Sequence, residues 1–83
     1  MYDIVFSKKA ERDLDFLSQK IKERVVAVLE RIRIDPYRYL RKLSKLGVYR
    51  IRTGDYRIII DVNESDKVLF VLKVGHRKKI YKW

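Results

Sequence analysis

The spacing of apolar residues changes character along the chain, and each change marks an element. Residues 2–6 alternate loosely, the period of a short strand. From Ser7 onward the spacing becomes helical, with Ala10, Leu14 and Leu17 recurring three and four apart and Ser7 placed to cap the first turn. Ser18, Gln19 and Lys20 form a polar break at which one helix ends and Ser18 caps the next. Ile21, Val25, Val28, Leu29 and Ile32 then make a second apolar stripe, on a helix of about three to four turns. Asp35 and Pro36 close it, because a residue that precedes proline is pushed out of the helical region. The same pair suits the cap and first position of a short following turn.

Past residue 36 the helical period disappears. Residues 37–47 form a basic connector in which Leu40, Leu43 and Leu46 are predicted to anchor to a core, leaving Arg41, Lys42 and Lys45 outside. Three strands follow, at 48–53, 56–62 and 67–74. Gly54 and Asp55 separate the first two as a tight hairpin turn, and residues 63–66 make a polar loop before the third. The expected architecture is α+β: an N-terminal strand and a two-helix hairpin packed on one face of an antiparallel meander. A single domain over residues 1–83 accommodates it, with no repeat, linker or low-complexity stretch.

Charge sharpens this picture. Lys and Arg number 21 against 11 Asp and Glu, a net +10, and the excess is unevenly placed. Residues 1–35 carry eight basic and seven acidic side chains, a net +1; residues 36–83 carry thirteen and four, a net +9. So one-sided a field attracts polyanions and speeds their capture. There are no cysteines, which excludes disulfides and thiolate metal sites, and a single histidine cannot build a histidine metal site. Neither a metal nor a small-molecule cofactor is expected. Met1, Tyr2 and Asp3 lack the basic-then-apolar start of a signal peptide, and the longest apolar runs, 25–29 and 68–72, have five residues each. The expectation is a cytoplasmic protein without a membrane partner.

Strand parity locates the charge. In the first meander strand Tyr49 and Ile51 share one side, Arg50 and Arg52 the other. In the second, Tyr56, Ile58, Ile60 and Val62 oppose Arg57, Ile59 and Asp61; in the third, Val68, Phe70, Leu72 and Val74 form the apolar set. With the apolar sets turned to the helices, Arg50, Arg52, Arg57 and Arg77 are predicted to gather on the exposed face, where Asp61 is the only acid of matching parity. Clustered guanidinium groups repel one another unless an anion binds, and their fork fits phosphate oxygens. His76 is either a general acid or base near neutral pH or a packed residue; its parity, opposite to Arg77, favours packing. Lys78, Lys79 and Tyr81 form a basic, aromatic tail of the kind that suits single-stranded RNA, with Tyr81 read as a base-stacking group, a proton donor or a packed aromatic.

Two segments carry a family resemblance. The run Tyr49-Arg50-Ile51-Arg52-Thr53-Gly54-Asp55-Tyr56-Arg57-Ile58-Ile59 resembles the signature of the RelE/ParE toxin superfamily, and Val74-Gly75-His76-Arg77 followed by Ile80-Tyr81 resembles its C-terminal element. The chain departs from the pattern at Ile60, where many RelE-like sequences carry tyrosine, and has Arg50 and Arg52 where some carry lysine. The resemblance implies the RelE-like fold and the toxin role in a type II toxin–antitoxin system. It further implies a metal-independent endoribonuclease that cleaves mRNA in the A site of a 70S-type ribosome and is restrained by a cognate RelB-like antitoxin. Carried over by position, the catalytic residues are Arg50, Arg52, Arg57, Arg77 and Tyr81, with Arg41, Lys42, Lys45, Lys78 and Lys79 binding RNA. Two alternatives stand beside this reading: a ParE-type inhibitor of DNA gyrase, and a non-catalytic module that binds RNA or the ribosome.

Overall fold

Ser7 is where strand becomes helix. It follows β1 (Asp3–Phe6) and starts α1 (Lys8–Asp15), its Oγ accepting from the Ala10 N–H at 3.0 Å. The Ser7 N–H and hydroxyl donate to the carbonyls of Val71 and Leu72 at 2.9 and 2.8 Å, so the cap also fastens the helix to the sheet. Ser18 caps α2 (Gln19–Ile32) by accepting from the Ile21 N–H at 3.3 Å. Both caps fall where the sequence predicts them. Pro36–Arg38 makes one 3-10 turn after α2. The computed structural model describes residues 1–43 and 48–80; the predicted anchor Leu46 and the RNA-binding candidate Lys45 lie outside them, as does Tyr81.

The remaining strands are β2 (Arg41–Leu43), β3 (Val48–Thr53), β4 (Tyr56–Asn63) and β5 (Val68–His76), in the sheet order β1-β5-β4-β3-β2. The meander of β3, β4 and β5 is antiparallel, and β1 joins its far side parallel to β5. The basic connector adds an unforeseen strand: β2 pairs antiparallel with β3, Arg41 opposite Arg50. Three residues are too few to show a period, and charged Arg41 and Lys42 suit a short edge strand.

A correction concerns β5. The helix-facing side chains are Leu69, Val71 and Val74, not the predicted set of Val68, Phe70, Leu72 and Val74. Ile59 pairs with Lys73 while Ile60 pairs with Val71, so Leu72 is an extra residue in the ladder. That bulge reverses the parity upstream of it and turns Phe70, opposite Asp61, to the other face.

The core lies between α2 and the sheet. Val25, Leu29 and Ile32 pack with Ile51, Ile58, Ile60, Leu69, Val71 and Val74, closed by Tyr2 and by Leu40 from the connector. Alpha helix α1 lies along β5 beyond the end of β1, with Ala10 fully buried. Its Asp13 Oδ2 accepts from the Val74 N–H at 2.9 Å, satisfying a backbone donor that β1 is too short to reach. No helix among the described residues is long and apolar enough to cross a membrane.

Candidate active site

Register assembles the site. Strand pairing places Arg52 directly across from Arg57 and Arg50 across from Ile59. On one side β2 adds Arg41 opposite Arg50; on the other, β5 adds Gly75 opposite Arg57 and Lys73 opposite Ile59. Residues two apart on a strand share a face. Arg52, Arg57 and Gly75 therefore form one row, Arg41, Arg50, Ile59 and Lys73 the next, both on the side of the sheet away from α2. The turn that sets this register has Gly54 at φ +59°, with Thr53 opposite Tyr56. A positive φ at the first of two turn residues is the type II′ arrangement, which glycine adopts without strain.

Arg57 departs from the expectation of an exposed guanidinium. It is only 6% exposed, and its Nη1 donates to the carbonyls of Gly54 and Tyr56 at 3.1 and 3.0 Å. The neighbouring position explains the room it occupies: Gly75 has no side chain, and Ile80 folds over it, so that a Cβ on Gly75 would meet Ile80 Cδ1 at 3.2 Å. Ile59 and Ile80 are both buried yet stand outside the main core, giving this face an apolar floor. Lys73 is also buried; burial pushes its ammonium pKa down, as does Lys9 nearby, with Asp13 acting the other way.

Arg77 follows β5 and is exposed. Its N–H donates to the Asp55 carbonyl at 2.7 Å, which brings its backbone to the same turn as Arg52 and Arg57. Lys78 and Lys79, also exposed, continue into a tight turn where the N–H groups of Lys79 and Ile80 donate to the His76 carbonyl at 2.8 and 3.0 Å. His76 Nδ1 accepts from the Lys78 N–H at 3.2 Å, and its ring stands edge-on to Tyr56 with centroids 5.6 Å apart. Tyr56 has the parity of the helix side, so His76 holds the turn from behind and does not join the arginine rows. Arg50 is half-buried; Arg41, Lys42 and Arg52 are exposed.

Ion pairs among the described residues join Lys9 to Asp13, Arg33 to Glu30 and Lys67 to Glu64. None involves Arg41, Arg50, Arg52, Arg57 or Arg77. Asp61 lies one row beyond Ile59, and Asp13 is engaged by Lys9 and the Val74 N–H. Among the described residues these five arginines are thus a concentration of fixed positive charge without an ion-pair partner, arranged to stabilise negative charge on a bound group. Sequence parity puts three of its arginines on one face; Arg41, expected outside as an RNA-binding residue, is brought level with Arg50 by the pairing of β2, which parity alone does not give.

The chain matches the family model described as ParE toxin of type II toxin–antitoxin system, parDE, over residues 4–81. Toxin RelE3 of Methanocaldococcus jannaschii is 32% identical, across 94% of this chain and 93% of its own length. Among solved structures, a chain of the toxin–antitoxin complex RelBE2 from Mycobacterium tuberculosis superposes with a TM-score of 0.85 at 28% identity, over 92% of this chain and 98% of that one. A chain of the archaeal RelE–RelB complex from Pyrococcus horikoshii OT3 gives 0.80 at 29% identity, over 94% and 97%. The chain belongs to the RelE/ParE superfamily of toxins from type II toxin–antitoxin systems.

Proposed function

We propose that this toxin is a ribosome-dependent endoribonuclease that cleaves mRNA by attack of a ribose 2′-hydroxyl on the adjacent phosphate. The observation that carries this reading is the pairing of Arg52 with Arg57 across the β3–β4 hairpin, beside Arg50 and the start of the Arg77 turn, with no acid among the described residues paired to any of them. In the reaction the 2′-oxygen forms a bond to phosphorus, the 5′-oxygen of the next nucleotide leaves, and charge builds on the non-bridging oxygens. Arg57 and Arg77 stabilise that charge. Arg52, acting as the neutral guanidine, takes the 2′-hydroxyl proton and becomes guanidinium, and Tyr81 supplies a proton to the leaving oxygen; Arg50 holds the scissile phosphate. Arg41, Lys42, Lys45, Lys78 and Lys79 bind the flanking strand electrostatically. Arginine is a weak base at neutral pH, so the reaction needs a message already aligned, which is what a ribosomal A site supplies. The chain acts in the cytoplasm as one domain, and a RelB-like antitoxin with an acidic or amphipathic segment covers the basic face. The toxin–antitoxin complexes of similar fold support that partner.

Incubation with translating ribosomes, followed by mapping of RNA 3′ ends, tests the reading. Cuts within the A-site codon are expected, and Arg57→Ala is expected to retain most ribosome affinity while losing cleavage. The family description as a ParE toxin favours a second reading, gyrase inhibition. Intact message together with inhibited supercoiling would establish it instead.

A further inference from the structure

The edge of the arginine face has a second wall, and it comes from α2. Beta strand β2 begins at Arg41, opposite Arg50, so residues 51–53 of β3 extend past it with no strand among the described residues on that side. Along this free edge lies a cleft of about 200 Å³ whose sheet wall carries Arg41, Arg50 and Arg52 and whose helix wall carries Arg31. Val28 and Ile51 form its floor, and Tyr39 stands at its rim. Arg24 stands beyond the lining of the cleft, towards the β3–β4 turn, where its Nη1 lies 4.0 Å from where a Cβ on Gly54 would be.

Arg24, Val28 and Arg31 fall at i, i+4 and i+7, one stripe of α2, with the two arginines about 10 Å apart along the axis. Glu23 and Glu30 lie off this stripe, and among the described residues neither Arg24 nor Arg31 makes an ion pair. A cation in the last turn of a helix is favoured by the helix dipole, which accounts for Arg31 by itself. It does not account for Arg24, in the first half of α2, nor for Arg31 sharing one cleft, around the open edge of β3, with arginines of the sheet's other face. Two cations spaced along an edge match successive phosphates of one strand better than a single anion, and an aromatic rim with an apolar floor suits an unpaired base.

We infer that this cleft is a second nucleotide-binding subsite, which grips the single-stranded RNA flanking the scissile bond through Arg24 and Arg31, with Tyr39 stacking on a base. The inference rests on the RNA reading of the arginine face. Its test uses a short fluorescent single-stranded RNA with 2′-O-methyl riboses, which cannot be cleaved, so binding is read whether or not the toxin proves to be a nuclease. The double variant Arg24→Ala/Arg31→Ala is expected to bind about tenfold or more weakly at a fixed salt concentration. Its affinity should also depend less on salt, the log–log slope falling by about 1.4 for two lost phosphate contacts. Lys8→Ala/Arg12→Ala removes the same charge from exposed positions on α1, outside the cleft, and is expected to bind within about twofold of the unmodified protein, the effect of net charge alone being small. Wild-type affinity and slope in the α2 variant, or an equal loss in the α1 control, overturns the subsite. Both variants alter exposed helical positions, and matching thermal melts establish that each is folded.

Discussion

The two ends of β4 handle charge in opposite ways. At its first residue lies the Gly54 turn, with Arg52, Arg57 and the Arg77 backbone gathered and, among the described residues, no carboxylate paired to the arginines. At its last, seven residues and about 23 Å away, lies a closed cluster. There Glu64 accepts hydrogen bonds from the hydroxyls of Tyr2, at 2.6 Å, and Tyr37 and from the Lys67 ammonium. Lys67 also lies over the Tyr2 ring, 5.1 Å from its centroid, and Tyr37 stands edge-on to Tyr49. One carboxylate thereby ties together the N-terminus, the turn after α2 and the β4–β5 turn. The contrast teaches that this chain can neutralise a cation locally and does so where it needs a joint. The arginines at the other end have no ion-pair partner among the described residues, as a surface awaiting a polyanion would.

The largest effects should come from the unneutralised end, and in activity without stability. Arg77→Ala removes an exposed side chain that makes no ion pair among the described residues, so its melting temperature should match the unmodified protein. Its single-turnover cleavage of ribosome-bound message should fall by about a hundred- to a thousandfold, the usual effect of losing one donor to a charged transition state. Arg52→Ala should behave alike. Arg57→Ala should differ, because that guanidinium also holds the Gly54 and Tyr56 carbonyls; a loss of about 1–3 kcal/mol in stability should accompany its loss of cleavage, read by denaturant titration. Equal stability of the Arg57 and Arg77 variants would show that the buried guanidinium does no structural work.

Intermediate in size is the turn that sets the register. Alanine at Gly54 must adopt a positive φ that costs about 1–2 kcal/mol. Thermal melting should show a drop of about 4–8 °C per kcal/mol for a domain of this length. Since Arg52 and Arg57 face each other only through this hairpin, cleavage should fall beyond what the lost stability explains, measured well below the melting temperature.

Local signals in the chain were readable and nonlocal ones were not. Ser7 and Ser18 act within three residues of themselves, and the Gly54 turn sits between two clearly alternating strands, so both caps and the hairpin could be placed from composition and spacing. The same alternation put Arg50, Arg52 and Arg57 on one face. The bulge at Leu72 could not be foreseen, because residues 68–72 are all apolar and the sequence does not distinguish inward from outward positions there. Nor could the burial of Arg57, which depends on Ile80 closing over Gly75. The parallel pairing of β1 with β5 and the Glu64 cluster both join residues more than sixty positions apart. Arg24 and Arg31 alternate with Glu23 and Glu30 along α2, a charge-balanced pattern that by itself describes solvated surface; the cleft at the open edge of β3, which Arg31 lines, is not legible in it.

The smallest effect belongs to the neutralised end, and its sign is fixed by the titrations. Hydrogen bonds from Lys67, then from Tyr2 and Tyr37, pull the Glu64 carboxyl down to about 2. A carboxylate whose pKa is lowered by folding stabilises the fold above its unfolded pKa of about 4.3 and loses that contribution as pH falls towards 2. On the alkaline side the hydrogen bond to Glu64 raises Tyr37 to about 12, and Lys67 is raised by the same partner. Raised pKa values give stability that is present below the unfolded values, near 10, and lost as pH climbs through the folded ones. The cluster should therefore be intact from about pH 4.5 to 10 and weaken outside that window. Glu64→Gln should melt at a lower temperature than the unmodified protein at pH 7, and the gap should close between about pH 4.5 and 2 as the carboxylate takes up its proton. Cleavage at neutral pH should be unchanged, since Glu64 lies at the far end of β4 from the arginines. A gap that persists undiminished at pH 2 would mean that the glutamate holds the three segments by shape and hydrogen bonding, with its charge contributing nothing, and the contrast between the two ends of the strand would lose its electrostatic basis.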